Sequence, residues 1–383
     1  MLPQVVTNAS RDGLYEGRTD EEVPLGATAA QHVLGMSSCG TCDPCFRVRL
    51  ELPARALSPH GIATDLLPLF SKEQAIAFRE AGVVGKTLVL ANARTRLRRR
   101  LNEMDDQAGT VVVQRQVDLT PLLALEKAVV TGRRLIYDVD DAIWLSGRQT
   151  GGHPMGVLKG TSRKVRWLAE RSEHVIAGNQ ILAEHLGKYS RHVTVIPSLV
   201  EPAANAIRGH QQGDSVTLGW IGSPTTAPYL RRIVPVLERF AKQSARPVRL
   251  VVVGGAAPQV AGVDVHERAW SVEMERQLLA EIDIGLMPLD DTPWSRGKCA
   301  YKALQYMACA IPSVVDDVGI SAATVGGAGH VARNAVDWLE GLQALAEDVG
   351  LRTRLGMIGR ERVEREFSPQ RWMPTLARIL RGE

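Results

Sequence analysis

No stretch of this chain approaches the ~20 apolar residues that span a bilayer, and the N-terminus has no apolar core of the kind that directs secretion. Both absences lead us to expect a cytoplasmic protein without a transmembrane segment. Cysteine is sparse: five residues, an odd number, argue against a disulfide framework and for reduced thiols. Neither sign of charge dominates, since 46 Lys and Arg face 42 Asp and Glu for a net +4, so composition alone does not call for nucleic acid. A basic cleft for an anionic substrate is compatible with that balance.

What the chain does have is apolar strand-like runs alternating with helical patterns. At 383 residues it is too long for one ordinary core. Residues 1–36 mix Gly, charge and small polar groups without periodicity and are read as an irregular extension. Residues 37–200 form the first expected domain. Strands are expected at 87–91, 110–113, 134–137, 174–177 and 193–196, with helices at 121–131 and 158–171. The polar segment 201–214, which contains Pro202 and Gly213, reads as a linker. A second βα series fills 215–366, and 367–383 ends in a helix. This alternation predicts an α/β protein of two doubly wound, Rossmann-like domains facing a central cleft, with ligands at the carboxyl ends of the strands.

The stretch Trp294–Val315 reads as a phosphate-facing helix running into a buried strand. Lys298 and Lys302 are spaced to share one helix face, Gln305 continues it, and Gly297 with Arg296 precedes it. Free N–H groups at such a helix start favour an anion. The alternative is a solvated lysine face.

Four segments, in order, resemble GT-B glycosyltransferases of the family 4, glycogen-synthase-like group. They are Tyr137-Asp138-Val139-Asp140-Asp141-Ala142-Ile143-Trp144, Val175-Ile176-Ala177-Gly178-Asn179, Leu218-Gly219-Trp220-Ile221-Gly222-Ser223-Pro224 and the Gly-Lys helix running into Ile311-Pro312. The likeness runs from about Phe46 to the C-terminus. It implies sugar transfer from a nucleotide diphosphate sugar, of undetermined base, to a hydroxyl-bearing acceptor, with retention of configuration and no required metal. It also implies a C-terminal helix that crosses back onto the first domain. Relatives commonly carry an Arg and a Lys after the glycine that ends the first strand of the second domain; here Gly222, Ser223 and Thr226 offer only N–H groups and hydroxyls, which would leave the phosphates to Arg296, Lys298 and Lys302. Of the paired glutamates frequent in the family, the second falls on Gln305, which can hydrogen-bond a ribose without charge. Trp270 is a candidate wall for the base or, alternatively, a core residue.

Asp138, Asp140 and Asp141 follow an apolar strand and are expected at its cleft end, with Asp138 or Asp140 taking the acceptor's proton or orienting sugar hydroxyls. A metal motif and helix capping are the other readings of the same residues. Phe46-Arg47-Val48-Arg49 followed by Leu52-Pro53-Ala54 resembles the family's segment in which an Arg points at phosphate or acceptor, which makes Arg47 and Arg49 candidates for that contact, with surface ion pairing as the alternative. Cys39, Cys42 and Cys45 have metal-ligand spacing, but the possible fourth ligands, His32, His60 or another thiol, stand at no recognisable spacing, so a reduced loop is expected instead of a metal. The basic run from Arg94 to Arg100 reads as a solvated helix face balanced by Glu103, Asp105 and Asp106 that follow it, with an anionic acceptor, nucleic acid or peripheral contact with an acidic membrane as the other readings. Within the same resemblance the rivals are a nucleotide-sugar epimerase and a non-catalytic protein that binds sugar nucleotides or anionic polymers. The oligomeric state and acceptor are not specified by the sequence.

Overall fold

In the computed structural model, the described residues are 31–40, 43–104, 108–145 and 160–383. They form two six-stranded parallel sheets with helices on both faces. The first runs in the order β2-β1-β3-β4-β5-β6, from β1 (Gln31–Ser37), β2 (Ile62–Pro68), β3 (Thr110–Gln114), β4 (Arg134–Val139), β5 (His174–Ala177) and β6 (Val193–Val195). The second has the order β12-β11-β10-β7-β8-β9, from β7 (Val216–Ile221), β8 (Val248–Val253), β9 (Val263–Arg268), β10 (Ile284–Met287), β11 (Ser313–Asp316) and β12 (His330–Ala332). Central strands such as β3 and β7 are buried along their whole length, as both-face burial of a parallel sheet requires.

Two sequence expectations fail here. Residues 31–36, assigned to the irregular extension, are most of β1, an interior strand paired with both β2 and β3. Its apolar core, Val33 to Met36, is short and follows a long aperiodic stretch, so no repeat announces it. Thr87–Ala91 is not a strand but part of the helix Val83–Glu103, whose buried Ala93 and Leu97 show the period of a helix against the core. A local apolar, partly β-branched run cannot distinguish the two, and tertiary packing decides.

The chain leaves the first domain at Val200, whose N–H donates to the carbonyl of Phe367, so the departing and returning segments lie side by side. The helix Pro369–Arg381 then packs Met373, Leu376, Ala377, Ile379 and Leu380 against Val33, Val112, Ile136 and Ile176 of the first sheet. Gln31 and Arg134 donate to the carbonyl of Leu380, at 2.6 and 2.9 Å, and so satisfy that end of the helix. The crossing-back helix expected from the resemblance is therefore present.

Candidate active site

The carboxyl end of β4 supplies three carboxylates in three environments. Asp138 is buried and takes a two-pronged pair from Arg49, Nε to Oδ1 at 3.0 Å and Nη2 to Oδ2 at 2.5 Å. Arg49 also donates to the carbonyls of Ile196 and Pro197, each at 2.8 Å. Burial opposes the Arg49 charge, but Asp138 more than offsets it and holds the guanidinium above its ordinary value. This pair ties the helical residues 44–57 to the sheet. Both side chains are buried and engaged in this pair, whereas the sequence led us to expect Asp138 at the cleft and Arg49 on phosphate or acceptor.

Asp140 accepts from Gln114 at 2.9 Å and from Arg115 at 2.6 and 2.9 Å. Burial works to raise its pKa, yet Arg115 outweighs it and keeps the carboxyl below its usual value. Sequence reasoning missed Arg115. It adopts φ 62, a left-handed conformation rare outside glycine, and is held there by the Tyr137 hydroxyl on its carbonyl at 2.8 Å. The available signal was a cation immediately following the apolar run of β3. Asp141 is the freest of the three, with a side chain 14% exposed, 3.7 Å from Arg115 and 4.0 Å from the Lys298 ammonium. Burial raises its pKa.

Lys298 does not share a helix with Lys302, contrary to expectation. Ala300 takes φ 49, and the helix Tyr301–Ala308 begins only after it. Residues 297–299 instead dock against the first domain. Asn179 donates to the carbonyls of Gly297 and Lys298 at 2.9 and 3.2 Å while capping its own helix through Leu182, and the Cys299 thiol donates to the carbonyl of Asp140 at 3.1 Å. Gly178 leaves the space that Cys299 fills. Lys298 is thereby carried to the domain junction, over the Trp294 ring and facing Asp141.

Lys302 lies on the second-domain side, its ammonium 5.3 Å from the centre of the Trp220 ring. That ring packs beside Gly222 and Gly255, which end β7 and follow β8, so the cation sits under the loops at the carboxyl edge of the second sheet. No carboxylate among the described residues pairs with it. Burial, then the Lys298 charge, lower its pKa from 10.5 to about 7.

The remaining candidates are partly occupied with one another. Arg296 is exposed and paired with Asp291 at 2.5 and 2.8 Å, so its charge is already matched away from Lys302. The Thr226 hydroxyl is used inside its turn, accepting from Ser223 N–H and donating to the Ser223 carbonyl, both at 3.1 Å. Arg47 stacks over Trp270 at 4.9 Å, so the indole face proposed for a base meets a first-domain guanidinium. Glu275, unflagged by any motif, joins this group: it accepts from Trp270 at 2.9 Å and Gln305 at 2.8 Å, and lies 3.7 Å from Arg47. Cys39 and Cys45 are free thiols, and Cys42 lies outside the described residues. No cluster of three metal-ligating side chains occurs among the described residues.

This architecture has counterparts. Residues 215–348 match the family model described as glycosyl transferases group 1. Sucrose-phosphate synthase from Thermosynechococcus elongatus superposes with a TM-score of 0.64 at 13% identity, over 92% of this chain and 98% of that one. The chain has the GT-B glycosyltransferase fold. HepE from Anabaena, solved with UDP and glucose, gives 0.62 at 13% identity over 92% and 99% of the two chains. The UDP-forming trehalose-phosphate synthase of Burkholderia xenovorans gives 0.60 at 10% identity over 92% and 99%. No curated protein matches in sequence. The Lys302 cluster lies at the carboxyl edge of the second domain, within the residues that match the family model, and the Asp141–Lys298 pair lies where the two domains meet.

Proposed function

We propose that this protein transfers a glycosyl group from a nucleotide diphosphate sugar to a hydroxyl-bearing acceptor, in the cytoplasm, with retention and without a required metal. The observation that carries the reading is Lys302. A partly buried lysine over an indole ring, with no carboxylate partner among the described residues, calls for an anionic ligand to complete it. Its position under the Gly222 and Gly255 loops suits a diphosphate, whose oxygens would meet the Lys302 ammonium, since the Gly222, Ser223 and Gly254 N–H groups are already donated within the protein. Binding of UDP and glucose by HepE, which shares the fold, supports the same class of donor.

Negative charge grows on the departing diphosphate as its bond to the sugar breaks, and Lys302 with Lys298 would stabilise it there. Asp141, faced by Lys298 and with its basicity raised by burial, is the carboxylate placed to receive the acceptor hydroxyl proton. Asp140 would act at one remove, fixing Arg115. The first domain, which takes in β1 from Gln31 and runs to 200, and the second, 215–366, joined through 201–214, would present acceptor and donor respectively. Incubation with radiolabelled nucleotide sugars tests the reading: release of the nucleotide diphosphate with sugar delivered to acceptor or water supports it. Interconversion of the sugar without release would favour an epimerase, and binding without turnover a non-catalytic role.

A further inference from the structure

The helix Val83–Glu103 carries six cations and one carboxylate, and it shows one face to the core and another to solvent. Its inner face buries Ala93 and Leu97, with Val89, Leu90 and Leu101 packed alongside. Its outer stripe, stepping by three or four residues, is Val84, Leu88, Ala91, Thr95 and Arg98. Val83, Val84 and Leu88 are 78%, 75% and 62% exposed, an unusual concentration of bare aliphatic side chains on one helix. Nearby Ile76, on the helix Lys72–Glu80, is also exposed. The stripe's hydroxyls do not offset this: Thr87 and Thr95 donate to the carbonyls of Val83 and Ala91, each at 3.1 Å, and so turn methyl groups outward.

The cations on this helix divide in the same way. Arg94 is paired with Asp118 at 3.1 Å, and Arg96 donates to the carbonyls of Pro68 and Leu69 at 2.9 Å, so these two hold the helix to its domain. Arg98, Arg99 and Arg100 are exposed, and among the described residues only Arg99 pairs with a carboxylate, the exposed Glu103 at 3.4 Å. Apolar side chains in the first half of the outer stripe and free guanidinium groups in the second can meet a flat surface together. An anionic bilayer accounts for the bare valines and for their continuity with arginines together, because aliphatic groups enter the acyl boundary while arginines meet lipid phosphates.

We propose that this helix docks the protein on the surface of an anionic membrane, lying flat with Val84 and Leu88 inserted and Arg98 and Arg99 at the headgroups. The test is co-sedimentation of the full chain with phosphatidylcholine vesicles, with and without phosphatidylglycerol. The wild type should bind only the anionic vesicles, and less as salt is raised. The double variants Arg98→Glu/Arg99→Glu and Val84→Asp/Leu88→Asp should each lower partitioning by about tenfold or more. Arg98→Gln/Arg99→Gln, which keeps the side chains long and helix-compatible, should move it in the same direction by less. All these sites are exposed, so the melting temperature should stay near that of the wild type and show the variants folded. Absence of binding to anionic vesicles, or equal binding by all variants, overturns the proposal. So does retention on duplex DNA or RNA without vesicle binding, or a dimer that Val84→Asp/Leu88→Asp disperses.

Discussion

Asp138, Asp140 and Asp141 show how residues of one type within four positions come to differ in use. Replacing Asp138 by Asn strips the partner from a buried arginine, so a stability loss of about 3–5 kcal/mol is expected in denaturant unfolding. Asp141→Asn should instead leave stability nearly unchanged and abolish most turnover while donor still binds. Asp140→Asn should fall between, because Arg115 loses its two-pronged partner but remains near Asp141. Full turnover in Asp141→Asn would remove that residue from the chemistry. The pair of opposing pKa shifts gives a second expectation. Asp141 works ionised and its pKa is raised, so the rate should fall as acid protonates it; Lys302 works charged with a pKa near 7, so the rate should fall again on the alkaline side. The unfolded chain keeps this lysine charged up to about 10.5, whereas the ligand-free folded protein releases the proton near 7. The unfolded state therefore holds more protons between those values, and stability from this group rises with pH across that window.

At the scale of elements, placement of Lys298 depends on the docking of residues 297–299 and not on the helix that follows. Asn179→Ala removes two donors to that segment and one helix cap, and should cost about 1–3 kcal/mol with a larger proportional loss of turnover. Asn179→Asp retains the cap but puts a carboxylate against two carbonyls, so it should restore stability only in part. Equal turnover in both variants and wild type would show that the docking does not matter to the reaction. These contacts explain where sequence reasoning reached its limit. The βα alternation and the aspartates after β4 were legible because buried parallel strands write themselves as apolar runs. Arg49 and Asp138 are 89 positions apart, and Asn179 and Gly297 are 118 apart, so nothing local announces either contact. The lysine spacing looked helical, but a single left-handed residue, Ala300, starts the helix later and sends Lys298 elsewhere.

For the whole molecule, the helix Pro369–Arg381 makes the first domain's core dependent on the last residues of the chain. Leu380 is 1% exposed within a cluster reaching five of the first sheet's strands and the helical residues 44–57, so Leu380→Ala should destabilise by about 2–5 kcal/mol. Thermal unfolding of that variant should lower the first domain's transition, and an unchanged transition would mean the helix is peripheral. The central claim concerns the anion site of the second domain, and isothermal titration with UDP, GDP, ADP and TDP addresses it without needing the acceptor. The account predicts saturable binding of at least one of these at pH 6, weaker at pH 8.5 as Lys302 loses its proton, and reduced about ten- to a hundredfold in Lys302→Met. No binding by any of the four, or equal binding in Lys302→Met at both pH values, would contradict it.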